Sequence, residues 1–362
     1  MKFFSMLEGR TSLIRRTAIT AVLSASAMFG AASALAQTPE QFFQGKTVRI
    51  LIGFSTAGTY GQYAMLAARH IGKHMPGRPT VIVQAMPGAG GVVALNYVAN
   101  VAAKGGTSLI MPPINTVQDG LLNPKVSFDP AKFHWLGRMM ELVQVGVASE
   151  KSGITKLEDG RSGKFSAAGV GVSNPTSLNW HIINRLLGTK FNVIGGYKGL
   201  PDSQLAWTRG EADVVMMNWE TAVQRYAEPI AQGKVRVLFT YTQHPLKDFS
   251  DLPAAKGVRA IGSLGNNEIE NALLRIFTSG PGIGRSLALY EGAPADRVLA
   301  WRKAFAAMLI DPEFLGEIKK AQMRFDPLSG EEMTTFVNAA ARIDKATLEG
   351  VKKLYGEITG GN

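Results

Sequence analysis

Three short strings in this chain are made of residues that let a backbone come close to a bound group. They are Ser55-Thr56-Ala57-Gly58-Thr59-Tyr60-Gly61, Pro87-Gly88-Ala89-Gly90-Gly91 and Gly169-Val170-Gly171-Val172-Ser173-Asn174-Pro175. Each follows a stretch with strand character and opens one with helical spacing. A turn in that position aims free N–H groups and the positive end of a helix at whatever lies beyond the strand. Glycine keeps side chains out of the way. Such a turn suits an anion, a carboxylate or a phosphate. Taken singly, these strings are also the ordinary turns of an α/β protein. Three together point to a cradle.

The candidate ligand-binding residues are therefore Thr56, Ala57, Gly58, Thr59 and Tyr60, then Pro87, Gly88, Ala89 and Gly90, then Ser173 and Asn174. Asn174 stands where a helix N-cap is expected and Pro175 suits the first helical position, leaving the Ser173 hydroxyl to donate to a ligand oxygen. Lys198, between Tyr197 and Gly199, is the candidate for charge attraction, although lysine is most often simply solvated. Asn218 precedes Trp219 at a strand end, where the pair could border a cleft; Trp180, Trp207 and Trp219 read otherwise as core.

Other chemistry finds little support. No G-x-x-x-x-G-K-[ST] string occurs, and Gly88-Ala89-Gly90-Gly91 misplaces the third glycine of a dinucleotide fingerprint. There is no G-x-S-x-G elbow for a hydrolase nucleophile. His70 and His74 share a helix face at four-residue spacing, but no Glu lies between them and no third ligand suggests itself. A basic residue near a helix C-terminus needs no further reason. His134, His181 and His244 stand alone, and Glu220 and Glu228 show no partner in the sequence. Neither a metal site nor a cofactor is expected.

The elements that must hold these loops alternate. Residues 46–52, 80–84 and 107–111 read as strands separated by helices at 61–74 and 92–103. The pattern recurs with strands at 165–168, 191–194, 213–217 and 235–240 and helices at 175–187 and 203–209. Strands at such spacing form βαβ crossovers and mainly parallel sheets covered by helices. The last third reads as helices at 295–309, 312–321 and 330–355. Two α/β lobes with a helical C-terminal extension follow. Chain crossings near 140 and 260 divide them into 37–140 plus 260–362 for lobe 1 and 141–259 for lobe 2.

The chain has 362 residues, 46% hydrophobic and 19% charged, with 40 Gly, 17 Pro and no Cys. This composition excludes a disordered or collagen-like chain, and the missing cysteine excludes disulfide scaffolds, thiolate metal sites and cysteine nucleophiles. Residues 1–36 have Lys2, Arg10, Arg15 and Arg16 ahead of a moderately apolar run ending in Ala34-Leu35-Ala36. This is the pattern of a secretory signal cleaved after Ala36. The Arg15-Arg16 pair permits twin-arginine export, but ordinary secretion is expected. Cleavage removes four bases and one acid, leaving 35 basic against 27 acidic residues, a net +8. An exported protein whose basic residues are scattered is not expected to meet nucleic acid.

From about residue 45 to 355 the chain resembles the extracytoplasmic solute receptors of the tripartite tricarboxylate transporter family, the Bug-type receptors. The likeness rests on ordered strings: Val48-Arg49-Ile50-Leu51-Ile52-Gly53-Phe54, Met86-Pro87-Gly88-Ala89-Gly90-Gly91, Ser127-Phe128-Asp129-Pro130, Ser166-Ala167-Ala168-Gly169-Val170-Gly171, Tyr197-Lys198-Gly199 and Gly210-Glu211-Ala212-Asp213. Gly292-Ala293-Pro294, Asp311-Pro312-Glu313 and Ser329-Gly330-Glu331-Glu332 close the series. The resemblance implies a two-lobed, type II-like periplasmic-binding-protein fold, monomeric and without enzymatic activity. It would close on a small organic carboxylate in the periplasm and deliver it to the membrane subunits of a transporter. It implies that the first two loops and the serine-bearing third hold the carboxylate. A sensory receptor of the same fold, or less readily an exported enzyme on this scaffold, are the alternatives.

One departure is informative. The family's first loop commonly runs P-P-G-G-x-x-D, and Gly61 stands here where the acid would be. Without a partner for an ammonium, an amino-acid ligand is disfavoured. Tyr60 and Tyr63 offer ring surface or a phenol for a larger or aromatic acid, unless they are plain loop and helix-surface residues.

Overall fold

The computed structural model describes residues 37–124, 126–171, 174–197, 199–246 and 249–360. The signal-like residues 1–36, together with Ser173 and Lys198, lie outside the described residues. Helix α1 (Pro39–Phe43) leads into β1 (Thr47–Ile52), α2 (Thr59–His74), β2 (Thr80–Ala85), α3 (Val92–Asn100), β3 (Ser108–Met111), α4 (Thr116–Leu122) and β4 (Phe133–Met140). There follow β5 (Gln144–Ser149), β6 (Ser166–Ala168), α5 (Pro175–Leu187), β7 (Asn192–Ile194), α6 (Leu200–Arg209), β8 (Val214–Asn218), α7 (Trp219–Ala231) and β9 (Val235–Thr240). The chain ends with α8 (Glu268–Ile283), β10 (Arg285–Tyr290), α9 (Ala295–Leu309), α10 (Pro312–Lys320), β11 (Leu328–Ser329), α11 (Gly330–Ala341) and α12 (Lys345–Thr359).

Two sheets result, ordered β11-β4-β10-β3-β1-β2 and β7-β6-β8-β5-β9. The βαβ units pair parallel as their spacing requires: β1 with β2 and β3, β6 with β7 and β8. Both sheets are mainly parallel in strand direction, with β10 and β11 of the first sheet and β5 of the second running against the rest. β10 runs antiparallel to β3 and β4, and β5 runs antiparallel to β8 and β9. The physical reason is the path of the chain. It leaves the first sheet at Met140 and enters the second at Gln144. It re-enters the first sheet at Arg285, where β10 is inserted between β3 and β4 against their direction.

The segment read as one helix over 330–355 is two, because Asp344 accepts from the N–H of Thr347 and starts α12 afresh. α12 packs on α8 and on α5, where Arg185 and Glu357 lie 3.5 Å apart. The C-terminal helix thereby touches elements bordering both sheets. One buried apolar cluster likewise runs from Leu51 and Ile110 through Leu273 and Phe277 to Trp180 and Val214.

His70 and His74 are tied to acids that sequence spacing could not reveal. His70 Nε2 lies 2.9 Å from Glu317 Oε1, and His74 Nε2 lies 2.8 Å from Asp311 Oδ2. Oxygen atoms of Asp311 and Glu313 come within 4.8 Å of the His70 ring nitrogen, and the Lys73 ammonium sits 2.7 and 2.6 Å from these two acids. The cluster fastens α10 onto α2. Among the described residues no helix is long and apolar enough to cross a membrane.

Candidate functional site

The strand-to-helix loops meet because glycines let them touch. A Cβ on Gly53 would lie 2.5 Å from Gly91 Cα, and one on Gly91 would lie 2.3 Å from Pro113 Cγ. The loops after β1 and β2 thus pack backbone to backbone, and the Pro113 ring of the loop after β3 packs against Gly91. Gly91 has φ +97° and Gly90 has φ +65°, in the left-handed region that glycine favours. Ala89 adopts φ +46° without being glycine, a local strain of the kind that gathers at functional sites.

These loops border a cleft of about 740 Å³. Phe54, Tyr60, Ala89, Gly90 and Val92 form one wall, and Ile114, Asn115, Gln118, Asp119, Leu122 and Asn123 continue it along α4. Asn174 and Pro175 at the start of α5 face them from the second sheet's side. Leu142, between β4 and β5, and Tyr355 of α12 also line it.

Several expected residues come together here and several do not. Tyr60, Ala89, Gly90 and Asn174 line the cleft; Pro87 and Gly88 lead into it. Thr56, Ala57 and Gly58 are exposed on the loop before α2, and Thr59 is exposed at its first position. Asn174 is an N-cap, its Oδ1 accepting from the N–H and hydroxyl of Thr176 at 3.0 and 2.8 Å. Asn218 is not among the lining residues; its Oδ1 accepts from Gln144 Nε2 at 3.0 Å. Trp219 is buried in the second sheet's core and is not among the residues lining this cleft. Tyr63 is buried as well, donating to the Arg324 carbonyl at 2.6 Å.

The loop after β3, with Ile114, Asn115 and the face of α4 beyond it, was missed by sequence reasoning. Its signal was Pro112-Pro113-Ile114-Asn115-Thr116, a strand-to-helix turn without glycine. Leu142 and Tyr355 had no local signal.

Aromatic packing orders the first loop. The Tyr60 ring stacks on Phe54 with centroids 4.4 Å apart, and the Arg285 guanidinium carbon lies 3.8 Å from the Tyr60 centroid. Two groups that close cannot share one face, so Tyr60 is held between them. The Tyr60 hydroxyl accepts the Ile114 N–H at 3.0 Å. Burial pushes its phenol pKa up, with Arg285 and the Ile114 bond pulling the other way. Gly61 has a steric reason: a Cβ there would sit 2.0 Å from the Thr56 carbonyl oxygen. The described cleft lining holds one carboxylate, Asp119, whose pKa burial raises against hydrogen bonds from Asn123 and Asn115.

A glycine-lined cleft bordered by helix N-termini from two α/β sheets is the geometry of a receptor for a small ligand. Residues 67–269 match the family described as the tripartite tricarboxylate transporter family receptor. The chain belongs to this tricarboxylate transporter receptor family. Solved structures agree in fold with the family assignment. A TctC solute binding protein from Polaromonas is 17% identical with a TM-score of 0.61, covering 85% of this chain and 98% of that one. Rpa4515 of R. palustris, solved with adipate, is 17% identical with a TM-score of 0.55, covering 87% and 97%. MatC from Rhodopseudomonas palustris, solved with malate, is 18% identical with a TM-score of 0.53, covering 87% and 99%. As in these receptors, the chain has two lobes flanked by helices.

Proposed function

We propose that this receptor captures a small organic carboxylate in the periplasm and delivers it to the membrane subunits of a tripartite tricarboxylate-type transporter. The observation that carries the reading is the cleft itself, lined by loops of the first sheet and by the start of α5 beside the second. A ligand touching both sides favours the closed arrangement, and hinge closure follows as a population shift. The lobes in this reading are 37–140 plus 260–362 and 141–259.

The loops can hold an anion without a lining cation. The N-caps of α2 and α3 are Gly58 and Gly91, and neither end has a side-chain cap, which leaves N–H groups free for ligand oxygens. Ser173 and Lys198 are the further candidates for polar contact. Malate and adipate in two fold relatives support a dicarboxylic acid of about this size. The rings of Phe54, Tyr60 and Tyr355 leave apolar surface for a longer or aromatic chain.

A thermal-denaturation panel of mono-, di-, tricarboxylic and aromatic acids, with amino acids as controls, tests this. A ligand bound only by the native state raises its melting temperature by mass action. One class of acid is expected to raise it. Stabilisation by amino acids alone would reverse the reading of Gly61, and a flat panel would count against carboxylate capture.

A further inference from the structure

Arg285 begins β10 directly behind the first loop and is 4% exposed. Its Nη2 donates to Thr59 Oγ1 at 2.6 Å and its Nη1 to the Gly284 carbonyl at 3.2 Å. Its Nε is buried with no hydrogen-bond partner. Among the described residues no carboxylate lies within ion-pair distance of this guanidinium.

Arg138, on the neighbouring strand, shows what the fold does with a buried guanidinium when it balances one. It is 5% exposed and pairs with Asp326 at 2.9 Å, with a further bond to the Gly282 carbonyl. Removing a charge from water without a counterion is costly, and stacking on Tyr60 offsets only part of that. Glu220, at the start of α7, is the acid whose charge acts on Tyr63 together with that of Arg285. Its Oε1 is buried without a hydrogen-bond partner, and among the ion pairs of the described residues there is none between Glu220 and Arg285.

Resting on the carboxylate-receptor reading above, we infer that Arg285 is a specificity-determining residue for which the ligand carboxylate is the missing counterion. The arrangement sets out how. Thr59 Oγ1 accepts from Arg285, so its own O–H proton stays available and polarised at the exposed start of α2. The anion meets that hydroxyl and the free N–H groups of the same turn, with the guanidinium behind them supplying the positive potential. Arg285 acts through Thr59 and Tyr60 and is a positioning residue for the anion.

The test measures melting temperature and calorimetric affinity for wild type, Arg285→Lys and Arg285→Met, with adipate and malate as probes and adipamide as the uncharged control. An unpaired buried cation predicts that Arg285→Met, without ligand, melts at or above the wild-type temperature. Its dissociation constant for the acids rises about 100-fold, whereas Arg285→Lys keeps the charge and loses about tenfold. Adipamide binding, weak throughout, does not change among the three. An Arg285→Met protein that is folded and still binds the acids with wild-type affinity overturns the assignment while leaving the receptor reading intact. The same holds if the acids bind Arg285→Lys and Arg285→Met equally, since charge then plays no part. A wild type that neither acid binds, alongside an Arg285→Met variant melting well below it, overturns both, because the cation is then structural. Glu220→Gln separates the last possibility: if it alone abolishes acid binding, Arg285 finds its counterion in Glu220 on closure and not in the ligand.

Discussion

The phenolic oxygen of Tyr60 accepts the backbone N–H of Ile114 at 3.0 Å, tying the loop after β1 to the loop after β3. Two walls of the cleft are held in register by one hydroxyl. Tyr60→Phe keeps the ring between Phe54 and Arg285 but leaves that N–H without its acceptor. The expected cost is about 1–3 kcal/mol in urea denaturation with an unchanged m-value. A loss near zero would mean that water replaces the phenol and the bond does not order the loops.

Gly91 carries both a left-handed backbone and a contact that no side chain can share. Gly91→Ala adds a methyl 2.3 Å from Pro113 Cγ and a disfavoured φ. Together these should cost at least ~2 kcal/mol of stability. Circular dichroism melts will show it. A variant with wild-type stability would show that the second and third loops are not packed as described.

Asp119 places a carboxylate on the cleft wall, and burial already raises its pKa. For an anionic ligand it is a like charge. Asp119→Asn should therefore tighten binding of an acid several-fold in calorimetry, through lost repulsion. Weaker binding in this variant would mean that the protonated Asp119 donates to the ligand.

The α2–α10 clamp should fail in acid. The Lys73 ammonium holds the Asp311 carboxyl well below the usual carboxylate range, with backbone bonds and His74 adding to it against burial. A depressed native pKa gives stability that is complete above the unfolded value of about 3.9 and is lost as the pH falls below it. Asp311→Asn should accordingly melt below wild type at neutral pH, and the gap should narrow below about pH 4. A gap of constant size would place the effect in packing, not in charge.

Much of this was legible in the sequence, for reasons visible in particular elements. β1, α2, β2, α5 and β9 are apolar runs bounded by glycine or proline, so periodicity finds them. Asn174 and Pro175 announce the start of α5 because capping chemistry is local. α8 was hidden by Gly280-Pro281-Gly282, which reads as a stop yet lies inside the helix, where the Pro281 carbonyl accepts the Leu142 N–H at 3.0 Å. α7 likewise carries Pro229. The cleft was half legible: its glycine turns are local signals, whereas Leu142, Tyr355 and the stack of Arg285 on Tyr60 join residues far apart in the chain. Gly61 is a different lesson. The sequence marks it as a missing acid, and the structure adds that the Thr56 carbonyl leaves no room for one.

The central claim is that the cleft recognises a carboxylate group. Isothermal titration of the purified receptor with the acid that stabilises it most, beside the amide of that acid, tests it directly. One molecule of acid should bind per chain, and the amide about 100-fold more weakly. Equal binding of acid and amide, or of neither by a folded protein, would contradict carboxylate capture.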